Sequence, residues 1–396
     1  MSDDSARTLR GTVYCLLIVV GLGSVMGRIL ALDAVDRTAV QDYLVKKRLN
    51  ELKLVLQKQG IAGRELEQAL EAEKARLPAA LAMRRPFLSA NDRSRWCAVR
   101  ALVEPEMRVD GAPYAIDKVI QQPGWDTIDM VKHGGHLYSS KPPLMSTLMA
   151  GPYWLIYRLT GRTLAAHPFE IGRFMILSIN VLSLLVFFLA LAGLIERLGT
   201  SDWGRMFAMA AAVFGTFLST FAITINNHLP AAACAAVLLC AAERIWWDDQ
   251  SRWPLLALAG LCGALMVSDE LPALSLLAVI SLALLWKAPW PTLLAYLPAA
   301  ALVTVAFFGT NWIAHHSLKP PYLHRDEGDN WYDYSYQRNG QTVQSYWTNR
   351  QGIDVGEPSP PRYALHVLVG HHGIFSLTPM WLLSVAGLLA WLWRGP

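Results

Sequence analysis

The residues able to do chemistry gather in one polar stretch, 92–144, set between apolar runs. Asp92 opens it, and Arg93 and Arg95 follow within Asp-Arg-Ser-Arg-Trp. His133-Gly-Gly-His136 comes next, then Gly-His-Leu-Tyr-Ser-Ser-Lys-Pro-Pro-Leu over 135–144. A carboxylate at the mouth of a helical bundle can take a proton from a hydroxyl or help hold a divalent cation. The same position suits a helix cap, because Asn91 or Asp92 precedes the helix-forming Ser-Arg-Trp-Cys-Ala-Val-Arg. Lys141 stands before two prolines, which bias its backbone toward an extended form. An ammonium so placed suits a phosphate, whether of a substrate or of an ordinary phospholipid headgroup. Tyr138 and the Gly134-Gly135 turn allow a ligand to approach the backbone closely.

A second set lies between later apolar runs. Asn226, Asn227 and His228 precede Pro230, Asp269 and Glu270 precede Pro272, and His371 and His372 are flanked by glycines. Ionisable groups at membrane depth are costly and usually functional, and the cost falls toward the rim. Tyr138, His136, Asn227, His228, Asp269, Glu270 and His372 are therefore candidates for a substrate pocket, and His371 for a phosphate contact. Adjacent histidines point different ways on a helix, so His371 and His372 suit a phosphate or hydroxyl better than a shared metal. His133 and His136 could chelate, but no cysteine or carboxylate spacing completes a zinc site. No cofactor is required by these residues, and a divalent metal is compatible with Asp92 alone.

The elements that must position these groups are apolar. The chain has 396 residues, 53% hydrophobic and 17% charged, with positive mean hydropathy. A soluble domain is nearer a quarter charged. Many of the 15 tryptophans sit at the ends of apolar runs, where interfacial rings belong. The class is an all-α polytopic membrane protein. A net charge of +4, with no basic tract, zinc-finger spacing or Walker loop, excludes a nucleic-acid partner. Cys15, Cys234, Cys240 and Cys262 lie in apolar runs as small packing residues, and Cys97 alone is in a polar segment, so no structural disulfide is expected. The first apolar run carries no signal-cleavage pattern and reads as an uncleaved anchor.

In order, residues 1–10 form a short polar tail with Arg7 and Arg10, and a first span runs to residue 32. The positive-inside tendency puts the N-terminus in the cytoplasm. Residues 33–169 form a large first outer loop. It begins with an amphipathic helical hairpin (34–77), in which Val45, Leu49, Leu52 and Leu56 recur at helical spacing. It continues through the polar segment (90–144) and ends with an apolar helix at the interface (144–160), too short to span. A transmembrane bundle follows over 170–313, with spans expected near 174–195, 206–223, 229–242, 255–267, 271–285 and 293–313. An aromatic-rich second outer segment fills 314–378, and a last span 379–393 closes the chain within the final segment 379–396. With eight spans, the short loops rich in arginine and lysine fall on the cytoplasmic side, and Asp92, Lys141, Asn227, Asp269 and His371 fall together on the outer side. No internal repeat is seen, which counts against an inverted-repeat transporter.

Two strings carry a resemblance to a known family. Asn-Asp-Arg-Ser-Arg-Trp-Cys-Ala-Val-Arg-Ala-Leu-Val-Glu from 91 and Gly-His-Leu-Tyr-Ser-Ser-Lys-Pro-Pro-Leu from 135 resemble the first outer loop of GT-C membrane glycosyltransferases, of the protein O-mannosyltransferase and lipid A aminoarabinose transferase type. The resemblance implies a GT-C-like bundle of about eight transmembrane helices with interfacial helices in a large first outer loop. It implies transfer of a sugar from a polyprenyl-phosphate carrier to a hydroxyl acceptor (glycan, lipid or protein) on the outer face of the cell (inner) membrane. Under it, Asp92 is the catalytic carboxylate, and Lys141, with Arg93, Arg95 or His371, meets the donor phosphate. The chain departs from the family's pattern in three places: Arg93 stands where a second acidic residue is common, the hairpin before Asp92 is an insertion, and the expected spans end at eight.

The function expected is thus inverting sugar transfer, with Asp92 as general base. The alternative is a polytopic transporter or flippase of a lipid-linked sugar or small solute, which would place polar groups near the bilayer midplane.

Overall fold

The computed structural model describes residues 3–31, 37–80, 87, 89–371 and 373–394. It is mostly helical. Five helices are long and apolar enough to cross a membrane: α1 (Asp4–Leu30), α6 (Pro168–Leu198), α7 (Asp202–Ile223), α8 (His228–Trp247) and α11 (Pro289–His315). Two shorter apolar helices, α9 (Trp253–Asp269) and α10 (Leu271–Lys287), lie between them in sequence. Four further helices precede α6: α2 (Arg37–Lys58), α3 (Gly63–Ala80), α4 (Ala90–Val103) and α5 (Pro143–Thr160). At the far end, α12 (Pro360–Val369), α13 (Ile374–Leu377) and α14 (Met380–Arg394) form a bent apolar unit with mostly exposed side chains.

α2 and α3 occupy the stretch read as a helical hairpin and turn at Gly60 and Gly63, both at positive φ. α5 is one helix that runs through Gly151-Pro152 and ends at Gly161 in the left-handed region. Three small antiparallel hairpins modify the all-helical expectation: β1 (Met130–His133) with β2 (His136–Ser139), β3 (Arg325–Asp326) with β4 (Asp329–Asn330), and β5 (Ser335–Arg338) with β6 (Gln341–Gln344). Gly134 and Gly135 form the first turn, with φ of 55° and 86°, the backbone that a two-residue hairpin demands.

The main core joins α1, α4, α5, α6 and α7. A second core joins α8, α9, α10 and α11. α9 and α11 approach very closely: a Cβ on Gly260 would lie 2.1 Å from the Tyr296 carbonyl oxygen, so only glycine fits. Inside α6 a π turn at Leu177–Val181 presents Asn180, fully buried, whose amide donates to the carbonyls of Ala222 at 2.9 Å and Thr224 at 2.7 Å. That polar clip holds the chain entering α8.

α4 is fixed from below by a buried charge network. Arg100 and Glu104, both almost fully buried, pair at 2.6 Å. Tyr153 of α5 donates to Glu104 at 2.5 Å and accepts from the Leu164 amide. Gln122 accepts from Arg100, and the guanidinium lies 4.2 Å over the Trp125 ring. The ends of the bundle differ in character. At one end, Arg10 binds Glu196 and Asp202, Arg197 binds Glu243 and Asp248, and Lys287 binds Asp249. The start of α8 and the end of α9 lie at the other, and the candidate site is built there.

Candidate functional site

A polar cavity of about 460 Å³ opens between the start of α4, the turn before α5, the start of α8 and the end of α9. Arg95, Lys141, Asn227, His228, Asp269 and Glu270 line it, with Asn91, Ser268 and Tyr322. Sequence positions from 91 to 322 thus converge on one space.

Each wall has a local cause. The Gly-Gly turn returns β2 along β1, which delivers Ser139, Ser140 and Lys141 beside α4. Pro142 and Pro143 then start α5, since proline at the first helical positions sacrifices no intrahelical bond. Asp129, a buried carboxylate that sequence reasoning did not single out, organises this corner. Lys141 Nζ pairs with Asp129 Oδ2 at 2.9 Å, the Ser140 hydroxyl donates to Asp129 Oδ1, and Ser94 Oγ donates to the Asp129 carbonyl at 2.5 Å. Lys141 remains a quarter exposed toward the cavity. Asp129 carried no signal beyond being a carboxylate in a Gly-Trp-Asp-Thr-Ile-Asp turn.

On the facing wall, Asn226 is structural. Its Oδ1 accepts from the amides of His228 and Leu229 and caps the start of α8, while its amide donates to Phe221 and Thr224 carbonyls. Asn227 faces the cavity and joins two charges. Arg95 Nη2 donates to Asn227 Oδ1 at 2.5 Å, and Asn227 Nδ2 donates to Glu270 Oε1 and the Asp269 carbonyl, both at 2.7 Å. His228 Nδ1 binds the same Glu270 oxygen. Arg95 also donates to Asn91 and is almost fully buried, with Asp129, Asp92, Asp269 and Glu270 around it. Four carboxylates about one guanidinium keep a cation stable where burial alone would not.

Asp92 is placed differently from the expectation. It is 1% exposed and does not line the cavity. Its Oδ1 accepts from the Ile225 amide at 3.1 Å, and Oδ2 has no partner in good hydrogen-bond geometry. Burial pushes its carboxyl up to about 7, against the opposing pull of the Ile225 amide, Trp96 and the two arginines. No side-chain capping bond is made at the start of α4, so Asp92 does not cap the helix. Asn91 and Arg95, four apart on α4, both line the cavity, while Asp92, one residue and about 100° round the helix from Asn91, points at the buried Ile225 amide. Asp92 meets the loop before α8 through the Ile225 amide.

Other expected residues also lie elsewhere. Arg93 donates to the carbonyls of Asp126 and Phe87 and tethers a loop. His136 pairs with Asp117 at 3.2 Å. Tyr138 is buried in a ring stack, 4.4 Å from His133, which in turn lies 3.9 Å from Trp331. Neither His136 nor Tyr138 lines the cavity: two apart on β2, they share one of its faces, where His136 meets Asp117 and Tyr138 the His133 ring. His371 is exposed and is not part of the cavity wall. His372 lies outside the described residues.

A second, apolar cavity of about 440 Å³ adjoins the first and shares Ser268, Leu271 and Tyr322 with it. Leu274, Leu277, Ala300, Phe307 and Phe308 continue its wall between α9, α10 and α11. A third cavity, between Leu194, Trp246 and Ile280 near the ion-paired end, is apolar except for Glu243, which Arg197 already occupies. Among the described residues no group of three or more His, Cys, Asp or Glu side chains is arranged to hold a metal ion, so no donor set gathers around Asp92.

What the polar cavity can do follows from its contents: two fixed cations for an anion, carboxylates and an imidazole for proton transfer, and an apolar annex. No protein-family model matches the chain, and neither a curated protein nor a solved structure matches it.

Proposed function

We propose that the protein is a membrane glycosyltransferase of GT-C type. It moves a sugar from a polyprenyl-phosphate donor to a hydroxyl acceptor on the outer face of the cell membrane. The observation that carries this reading is the shared wall of the two cavities. A lipid-linked sugar joins an apolar isoprenoid chain to a phosphate and a polar sugar, and an apolar cavity that shares a wall with a polar one holding two cations and carboxylates suits that composition.

In this reading α1, α6 to α11 and α14 make eight spans, with the N-terminus in the cytoplasm. The ion-paired end with Arg10, Arg197, Arg205 and Lys287 is the cytoplasmic end, as basic residues prefer. The phosphate settles against Lys141 and Arg95, and fixed cations there stabilise the charge that grows as the sugar departs, the kind of preorganised term that dominates such transfers. Asp129 holds Lys141 in place, and Asp92 holds the loop that carries Asn227 and His228. The base that accepts the hydroxyl proton belongs to the groups that reach the cavity.

Binding of the carrier tests the reading. A long-chain polyprenyl phosphate is expected to raise the thermal midpoint of the purified protein. Thr304→Trp, which fills the apolar cavity, is expected to abolish the shift. A shift that survives in Thr304→Trp, or none at all in the natural protein, counts against the lipid-linked donor.

A further inference from the structure

One imidazole on the cavity wall is built differently from the rest of the site. His228 Nδ1 is bonded to Glu270 Oε1, and that oxygen also accepts from Asn227. An ionised carboxylate only accepts, so it fixes the neutral ring as the Nδ1–H tautomer and leaves the Nε2 lone pair outward. Among the described residues no hydrogen bond takes Nε2, and the side chain is 42% exposed on the cavity wall. The Phe221 ring, 4.6 Å away and edge-on, limits the ring's rotation. An imidazole tied at one nitrogen by a carboxylate and open at the other is the arrangement of a general base.

Building on the glycosyl-transfer reading, we infer that His228 takes the acceptor's proton, with Glu270 and Asn227 as positioning residues. The acceptor hydroxyl oxygen bonds to the anomeric carbon as its proton passes to His228 Nε2. The bond from that carbon to the phosphate oxygen breaks, and its electron pair leaves with the polyprenyl phosphate. Glu270 stabilises the imidazolium that forms. The proton then passes to solvent, and no oxidant or reductant is involved. The arrangement also explains Asn227: one amide orients the base carboxylate and the phosphate-side guanidinium together. The charged and titratable groups that face the ring across the cavity are Arg95 from α4, Lys141 from the turn before α5, Asp269 and Glu270 from the end of α9, and Tyr322 beyond α11. Asp269 is the competing base, a carboxylate on the same wall with its charge beside Arg95.

The test uses the full chain in native membranes or detergent, with transfer and donor binding measured separately. His228→Gln is expected to lower kcat by about 10²–10⁴-fold, with the donor-induced thermal shift unchanged. The acid limb of the natural protein's pH–kcat profile is expected to vanish in the variant. Added imidazole is expected to restore part of the rate to His228→Gly. If His228→Gln fails to fold, Glu270→Gln decides, since a weakened partner must move the acid limb. Transfer retained within ten-fold in His228→Gln overturns the assignment, as does loss of donor binding together with transfer, which would place His228 at the phosphate. Loss in Asp269→Asn with His228→Gln active gives the role to Asp269. If the natural protein transfers no sugar from any polyprenyl-phosphate donor, the glycosyl-transfer reading itself fails, and that result is visible before any variant is made.

Discussion

Arg95 and Asn227 are 132 residues apart in sequence and share a 2.5 Å hydrogen bond at the centre of the cavity. Through it, the start of α4 and the start of α8 act as one wall. Asn227 passes the constraint on to Glu270 and to the end of α9. Replacing Arg95 by Met removes a cation from the proposed phosphate site and releases Asn227. The expected loss in kcat/KM is about 10²–10³-fold, or roughly 3–4 kcal/mol of transition-state stabilisation. Arg95→Lys is expected to recover little, because one ammonium cannot span Asn91 and Asn227 as the guanidinium does. Steady-state transfer kinetics check both.

Asp92 makes stability depend on pH. Its folded carboxyl titrates near 7, above its ordinary value of 3.8, so the folded state binds the proton more tightly than the unfolded one. Stability from this group is fully present below about pH 4 and is lost as pH rises toward 7, by a few kcal/mol in order of magnitude. Asp92→Asn keeps an acceptor for the Ile225 amide and cannot ionise. Thermal melts from pH 4 to 8 are expected to show the downward slope in the natural protein and not in the variant. Loss of transfer in a stable Asp92→Asn protein would return the residue to the role of base.

The Arg100–Glu104 pair tests how α4 is held. Glu104→Gln strands a buried guanidinium and weakens the Tyr153 bond, and is expected to destabilise by roughly 3–5 kcal/mol. Replacing both partners by apolar residues of similar volume is expected to cost less than the single change. Denaturant or thermal unfolding of the three proteins decides.

Much of this was legible in residue type and spacing. Apolar runs of about twenty residues gave the long helices, and the placement of Lys141, Asn227, His228, Asp269 and Glu270 beside polar breaks in those runs put them at helix ends, where five of them meet. The burial of Asp92 was not legible in the sequence, for a physical reason. A sequence places a residue on an element but gives its rotational phase only when the element has a clear apolar stripe, and α4 is buried on nearly every side. Asp129 was missed because its role depends on a turn made by residues far along the chain. His136 and Tyr138 lie off the cavity because the Gly-Gly turn and β2 set them against Asp117 and the His133–Trp331 stack, and Trp331 arrives there only through tertiary folding. The number of spans is set by a bilayer that sequence pattern describes only by length.

The His133 ring stack predicts a second pH effect, of opposite sign. Burial and the neighbouring His324, His136 and His316 press His133 down to about 4, below its ordinary 6.5. The unfolded chain therefore binds the proton more tightly, and stability contributed here is lost as pH falls from about 6.5 toward 4. Amide protection factors, corrected for the intrinsic pH dependence of exchange, are expected to fall in 130–139 and 324–334 between pH 7 and 5. His133→Phe, which keeps a ring between Tyr138 and Trp331, is expected to remove that dependence. An equal fall in protection in both proteins would remove His133 as the cause.

The most direct measurement is transfer of labelled sugar from a panel of polyprenyl-phosphate donors in membranes, comparing the natural protein with Lys141→Ala at matched expression. The account predicts label in an acceptor with the natural protein and a loss of about 10²-fold or more in the variant, since a fixed cation at the leaving phosphate is worth several kcal/mol. Label transferred equally well by both proteins contradicts the phosphate role of Lys141. No label from any donor, together with movement of intact lipid-linked sugar between the two leaflets, contradicts the account as a whole.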